Sequence, residues 1–173
     1  YLRTTKQYMN TVIDVGAWCG TWSKAIEPFA KKVIAFEPDS VHFECLQRNC
    51  AVNCDARMEA VGSEIKQISL TEDNFTQAKR IDKQGDINMT TLDKLQIKDV
   101  DMIKIDVEGY EMEVLKGAEK TLDSVKYLMI ELNNNTKKYG SSNLEIEKHI
   151  GGLGYQTLIS HWPDKVFYRP DVN

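Results

Sequence analysis

The sequence TVIDVGAWCG, residues 11–20, decides the fold, because a β-branched run leads directly into a glycine turn. Residues 11–15 have the composition of a buried strand, and residues 21–29 carry apolar side chains at helical spacing. A second apolar run, KVIAFE, occupies residues 32–37, and Pro38 ends it. Strand, glycine turn, helix and strand form a βαβ unit, which indicates an α/β protein with a parallel sheet.

The rest of the chain continues this alternation of short apolar runs and amphipathic segments. The polar stretch 71–89 interrupts it, and we expect a long loop there. The last two runs, 155–160 and 165–169, are joined by a short connection and are expected to form an antiparallel hairpin that ends the sheet. The other predicted elements are strands at 57–61, 65–70, 101–107 and 127–132 and helices at 111–122 and 143–150.

Length and composition limit the classes of protein that fit. The 173 residues predict a single domain, residues 1–173, and 42% hydrophobic residues suffice for a substantial core. The net charge of −4 argues against a nucleic acid partner, and no apolar stretch approaches the roughly 20 residues that cross a bilayer. The four cysteines lack CxxC spacing, so we expect them to be reduced and the protein to be cytoplasmic.

The glycine turn is a candidate ligand site, because open α/β sheets bind ligands beyond the carboxyl ends of their strands. Gly16 allows a ligand to approach the backbone, and Gly20 allows tight packing of strand and helix. Glu37 follows Gly16 by about 20 residues, the spacing at which an acid binds ribose hydroxyls. Asp14 at the same edge would repel a pyrophosphate, so the site favours a nucleoside that carries a cation, as S-adenosylmethionine does.

The segment IKIDVEG, residues 103–109, places Asp106 and Glu108 at the end of a predicted central strand. We predict that both carboxylates face the reacting atoms, although they could instead cap the helix that follows. Strand alternation places Lys104 and Asp106 on one face, and a lysine inside such a strand needs a partner. We expect an ion pair of Lys104 with Glu131, Asp106 or both, which leaves Glu108 as the better candidate for a general base.

The separated motifs together resemble the FkbM family of class I S-adenosylmethionine-dependent methyltransferases over residues 11–132. Besides the turn, they comprise AFEP at 35–38, AVG at 60–62, TLD at 91–93 and, most distinctively, IKIDVEG with Glu111, Val114, Leu115, Lys116 and Gly117. The resemblance implies a Rossmann-like, seven-stranded, mostly parallel sheet with helices on both faces. It also implies methyl transfer to a hydroxyl of a small molecule, sugar or glycan.

The resemblance also implies roles for individual residues. Asp14 would hold the methionine ammonium, Glu37 would bind the ribose, and the backbone of Ala60 and Val61 would border the adenine. The family usually has Asn where Trp18 stands, and an indole could cover the pocket instead. The complete predicted cofactor-binding set is Asp14, Gly16, Ala17, Trp18, Gly20, Glu37, Pro38, Ala60, Val61 and Asp106, and the predicted catalytic residues are Asp106 and Glu108.

Two other functions remain open at this point. A nicotinamide-dependent oxidoreductase is disfavoured, because the middle glycine of a dinucleotide motif is missing and no Tyr-x-x-x-Lys pair occurs. A domain that binds the cofactor without catalysis is the second alternative. No metal site is predicted, because two carboxylates underdetermine one and because Cys45, Cys50, Cys54 and His42 cannot all face one point on a helix.

Overall fold

A computed structural model describes residues 8–73 and 76–172, with the side chains outside residues 72–84. The strands are β1 (Met9–Val15), β2 (Ala30–Phe36), β3 (Cys54–Arg57), β4 (Ala60–Val61), β5 (Lys66–Asp73), β6 (Thr76–Thr90), β7 (Val100–Ile105), β8 (Tyr127–Glu131), β9 (Gln156–His161) and β10 (Asp164–Tyr168). The α-helices are α1 (Thr21–Ile26), α2 (Ser40–Asn49), α3 (Leu92–Leu95), α4 (Glu111–Lys116), α5 (Glu119–Leu122) and α6 (Asn143–Gly152). Short 3-10 helices cover Glu27–Phe29 and Asn134–Tyr139.

A seven-stranded sheet with the order β3-β2-β1-β7-β8-β10-β9 forms the centre of the molecule. Its pairs from β3 to β8 are parallel, and β10 runs antiparallel to both of its neighbours. The predicted mostly parallel sheet and C-terminal antiparallel hairpin are confirmed. Because β1, β2, β7 and β8 are parallel, their carboxyl ends lie at one edge of the sheet, which is where the predicted site residues follow them.

Helices cover both faces of this sheet, as predicted. On one face Ile26 of α1 packs with Val12, Val33 and Met102. On the other face the helices α4, α5 and α6 pack against alternate residues of the same strands, including Ile13 and Ile103. Successive apolar side chains of the central strands point to opposite faces of the sheet, and each face therefore packs against its own layer of helices.

The predicted loop at 71–89 is wrong, because β5 and β6 pair there as a long antiparallel ribbon. The ribbon forms a second, three-stranded sheet in which β4 pairs in parallel with β6. The single predicted strand 57–61 is therefore also wrong: β3 belongs to the main sheet, and β4 belongs to the ribbon. Ile68 and Met89 are buried with Ala60 and Tyr110, which anchors the base of the ribbon.

The predicted helix 111–122 is divided into α4 and α5 at Gly117. A Cβ atom at Gly117 would lie 1.9 Å from the carbonyl oxygen of Gly62, so only glycine permits this approach of helix and ribbon sheet. Helix α4 begins at Glu111, directly after the segment that carries Asp106 and Glu108.

The cysteines differ from expectation, because Cys50 and Cys54 form a disulfide while Cys19 and Cys45 are free. The chain turns between the end of α2 and β3 and brings the two Cα atoms to 5.4 Å, which is within the range that a disulfide spans. The expectation that all four cysteines are reduced is wrong, and the predicted cytoplasmic location loses that support. None of the helices in the described part of the chain is long and apolar enough to cross a membrane.

Candidate functional site

The glycine turn between β1 and α1 lies against the ends of two neighbouring strands. The amides of Gly16 and Ala17 both donate to the carbonyl oxygen of Phe36 at the end of β2, at 3.0 and 2.9 Å. Gly16 has a φ of 79°, and a Cβ atom there would lie 1.8 Å from the carbonyl oxygen of Asp106. Gly20 has a φ of 82°, and its Cβ would lie 2.8 Å from Leu46 of α2. The turn is thus fixed from three sides.

Trp18 occupies the middle of this turn with a φ of 50°, a conformation that bulky residues rarely adopt. Its side chain is 52% exposed, and its ring meets His42 edge to face with centroids 6.0 Å apart. Its amide donates to Glu37 Oε2 at 2.8 Å. A large aromatic ring is therefore held beside the acid at the end of β2, in a backbone conformation that costs free energy.

Glu37 is the buried carboxylate of this edge, with 7% of its surface exposed. Its Oε1 accepts from the amide of Asp39 at 2.9 Å, while Trp18 occupies Oε2. Burial raises the pKa of Glu37 to about 7, against the lowering effect of these two backbone donors. His42 Nδ1 lies 3.8 Å from Glu37 Oε1 and 3.5 Å from Asp39 Oδ1. His42 is not among the site residues predicted from the sequence, although Asp39 is the N-cap of α2 and its side chain accepts from the amide of His42.

Asp14 lies beneath the turn with 0% exposure. Its Oδ2 accepts from Ser23 Oγ at 2.6 Å, and its Oδ1 lies 3.0 Å from Lys104 Nζ. Both carboxylate oxygens therefore have partners within the protein, and the contact of Asp14 with a ligand ammonium stays a prediction. Because it fixes Ser23 of α1 and Lys104 of β7, Asp14 is a positioning residue.

Lys104 connects the buried carboxylate to the strand edge. Its Nζ lies 3.0 Å from Asp14 Oδ1, 3.3 Å from Asp106 Oδ2 and 3.2 Å from the carbonyl oxygen of Gly16. Burial alone would lower the pKa of Lys104, but Asp14 and Asp106 outweigh it and raise the pKa. The predicted pair with Asp106 is confirmed. The prediction named Glu131, Asp106 or both, and of these two Asp106 is the partner. The second partner is Asp14 of β1, which adjoins β7 on the side away from β8.

Three carboxylates meet beyond β7 and β8. Asp106 and Glu108 follow β7, and Glu131 ends β8. Glu108 has a φ of 55°, and its Oε2 accepts from Asn135 Nδ2 at 2.9 Å. The N-cap position of α4 belongs to Tyr110, so the alternative in which Asp106 or Glu108 caps this helix is not what the fold builds.

The other predicted cofactor-binding residues are mostly buried around the turn. Ala17, Ala60 and Val61 are buried, and Pro38 is half-buried after β2. Ala60 and Val61 reach this region as β4 rather than as part of the main sheet. One group of potential metal ligands occurs in the described chain, where atoms of Glu27, Cys50 and Cys54 lie within 4.8 Å of one another, but the two sulfurs are bonded to each other.

The arrangement fits a nucleoside with a positive charge. Carboxylates follow the ends of the strands at this edge, namely Glu37, Asp39, Asp106, Glu108 and Glu131, while Lys104 pairs with Asp106 and with the buried Asp14. These acids would repel a diphosphate, whereas a ribose could hydrogen-bond to Glu37 and a cation would be attracted. The residues thus suit a sulfonium nucleoside better than a dinucleotide.

Residues 14–157 match the family model described as the methyltransferase FkbM domain. No curated protein matches the sequence. The fold is similar to that of the FkbM methyltransferase from Methylobacillus flagellatus KT, with a TM-score of 0.66, 19% identity, and coverage of 94% of this chain and 44% of that one. The chain therefore spans less than half the length of that relative.

Two ligand-bound methyltransferases share the fold at lower identity. Magnesium protoporphyrin IX methyltransferase from Synechocystis PCC 6803 with bound SAM has a TM-score of 0.59 and 10% identity, covering 96% of this chain and 73% of its own. The N-methyltransferase NodS from Bradyrhizobium japonicum WM9 in complex with S-adenosyl-l-homocysteine has a TM-score of 0.56 and 10% identity, covering 98% and 83%. The Rossmann-like methyltransferase fold is thus shown.

Proposed function

We propose that this chain, which belongs to the FkbM methyltransferase family, is a single domain that methylates a hydroxyl oxygen of a small molecule or glycan. The donor in this proposal is S-adenosylmethionine, which supplies an electrophilic methyl group when bound. The observation that carries the proposal is the acidic strand edge around Glu37, where a buried carboxylate is fixed by two backbone amides beside the glycine turn. This edge can recognise a ribose and a cation but would repel a diphosphate.

On the donor side, Glu37 would accept hydrogen bonds from the ribose hydroxyls, because its orientation is already fixed by Trp18 and Asp39. Trp18 would cover the nucleoside with its exposed ring. The backbone of Ala60 and Val61 would border the base, with Pro38 and Ala17 completing the wall. Asp14 contributes indirectly by holding Lys104, and through it Asp106, in place.

On the acceptor side, Asp106 and Glu108 would orient the hydroxyl. Asp106 pairs with Lys104 at 3.3 Å, and Glu108 is held by Asn135. In-line displacement at a methyl carbon depends on alignment, and two fixed carboxylates at neighbouring positions supply it. Asp106 and Glu108 can accept a hydrogen bond from a hydroxyl, but their negative charge would also attract a cationic amine. The experiment therefore compares the two classes of acceptor.

The test is an acceptor screen with isotope-labelled S-adenosylmethionine. Methyl glycosides, polyols and catechols are compared with primary amines, using the intact chain and its Glu37→Ala and Glu108→Gln variants. We expect label in a hydroxyl compound, with Glu37→Ala raising the donor Kd at least 10-fold and Glu108→Gln mainly lowering turnover. Exposed Glu119→Gln serves as the control.

Two results would contradict the proposal. Exclusive labelling of amines would refute O-methylation. Donor binding without turnover on any acceptor would favour the non-catalytic alternative.

A further inference from the structure

Glu131 is the acidic residue that the proposed function leaves without a role, and the sheet register places it at the acceptor side. Ile105 of β7 pairs with Ile130 of β8, so Asp106 and Glu131 follow side by side. Both isoleucines point into the core under α4 and α6. Because side chains alternate along strands, Glu131 points to the opposite face, which it shares with Lys104 and Asp106.

Hydrogen bonds fix Glu131 among the neighbouring polar groups. Asn133 Nδ2 donates to Glu131 Oε2 at 2.7 Å, and Asn133 Oδ1 accepts from the amide of Asn135 at 2.8 Å. Asn135 in turn holds Glu108. Asn133 and Asn135 therefore orient two carboxylates together: Glu131, which ends β8, and Glu108, which follows β7. Glu131 remains partly exposed, so a substrate can reach it.

Acidic residues outnumber basic residues around Glu131. Asp106 and Glu108 are both negative neighbours of Glu131. Asp164 of β10 lies opposite Glu131 in the sheet register. Lys104, which shares this face of the sheet, is already paired with Asp14 and Asp106.

Lys104 Nζ lies 3.3 Å from Asp106 Oδ2, and the negative charges of Asp106 and Glu108 beside Glu131 disfavour the ionisation of Glu131. Glu131 therefore holds its proton until the pH approaches its pKa, and above that pH it is a carboxylate that can accept a proton. Burial is the largest of the effects that raise the pKa of Glu131 to about 7, and the neighbouring Asp106 and Glu108 contribute to the same rise. A carboxyl that titrates near neutral pH is well matched to accept a proton in catalysis.

We propose that Glu131 is the general base that takes the proton of the acceptor hydroxyl, with Asp106 as its positioning partner. This inference rests on the proposed function. As the acceptor oxygen forms its bond to the methyl carbon, the bond from that carbon to sulfur breaks and the sulfonium becomes a neutral thioether. The hydroxyl proton passes to Glu131, which becomes a neutral carboxylic acid and later releases the proton to solvent.

Carbon-13 NMR of glutamate-carboxyl-labelled protein tests the proton location without an acceptor. Spectra are recorded against pH with S-adenosylhomocysteine present for the intact chain, Glu131→Gln and the control Glu119→Gln. Signals of Glu37, Glu111 and Glu131 should titrate near pH 7, and we expect one of these signals to be lost in Glu131→Gln and none in Glu119→Gln. A Glu131 signal that titrates below pH 5 would overturn the inference, whether or not any acceptor is known.

The pH dependence of turnover tests the catalytic role, with the methyl glycoside or other hydroxyl compound that accepts label in the screen. The intact chain should speed up as pH rises through about 7. Glu131→Gln should lower kcat by about 10²- to 10⁴-fold and lose this rise, while the Kd for S-adenosylhomocysteine measured by calorimetry changes less than about 3-fold. Glu131→Asp should restore part of the rate.

The same measurements separate the two proposals. Glu108→Gln should keep the rise with pH, and if it loses the rise while Glu131→Gln keeps it, the base is Glu108 and the inference is wrong. If neither donor nor S-adenosylhomocysteine binds in calorimetry, the proposed function fails, and the NMR titration of Glu131 still decides where the proton lies.

Discussion

Replacement of Lys104 by methionine should destabilise the fold strongly, because it leaves Asp14 buried without its cation. Lys104 is 7% exposed and Asp14 is fully buried, with 3.0 Å between Nζ and Oδ1. At an effective dielectric constant of about 20, a pair at this distance interacts with roughly 5 kcal/mol. Asp106 is 36% exposed, so water screens its share of the pair. Loss of one partner of a buried pair costs about 3–5 kcal/mol, which is the expected loss of unfolding free energy.

The measurement is urea unfolding followed by circular dichroism, for which a slope of about 2 kcal/mol per molar predicts a midpoint lowered by roughly 2 M. Lys116→Met is the matched control, because Lys116 pairs with Glu113 at 2.6 Å but is half exposed, and its loss should cost less than about 1 kcal/mol. The double variant Asp14→Asn, Lys104→Met should regain part of the stability. Equal shifts for Lys104→Met and Lys116→Met would refute the reasoning.

Three further predictions concern the turn and the helix behind it. Trp18→Asn should raise the melting temperature slightly, since asparagine tolerates a φ of 50°, while weakening binding of S-adenosylhomocysteine; a lower melting temperature would contradict the strain. Gly16→Ala should destabilise by more than about 2 kcal/mol in urea unfolding, whereas Gly151→Ala, with open space around its Cβ, should not. Burial raises the pKa of Glu111 to about 7, so the folded state binds the extra proton and stability should fall as pH rises from about 4.5 to 7; Glu111→Gln should flatten this dependence, and an unchanged slope would contradict it.

The main sheet could be predicted from the sequence because its signals are local. Strands 11–15 and 101–107 are apolar runs, and the glycine turn after the first strand marks a parallel crossover. The ribbon of β5 and β6 could not, because its polar composition resembles that of a loop. Pairing between strands satisfies the backbone there, and this information does not reside in hydrophobic periodicity.

The candidate site divides in the same way. Glu37 and Asp106 could be predicted because each follows directly from a strand, and the parallel register then brings the strand ends together. The partner of Lys104 was only half predicted, because the choice between Asp14 and Glu131 depends on which neighbouring strand carries the closer carboxylate. The disulfide of Cys50 and Cys54 depends on a turn whose geometry their spacing does not reveal.

Calorimetric titration tests most directly whether the acidic strand edge around Glu37 binds a sulfonium nucleoside. The intact chain and Glu37→Ala are each titrated with S-adenosylmethionine, S-adenosylhomocysteine and NAD. We expect both sulfur nucleosides to bind and NAD not to bind. Loss of the Glu37 carboxylate should raise the Kd of each nucleoside at least 10-fold. Binding of NAD, or nucleoside binding that is indifferent to Glu37, would contradict it.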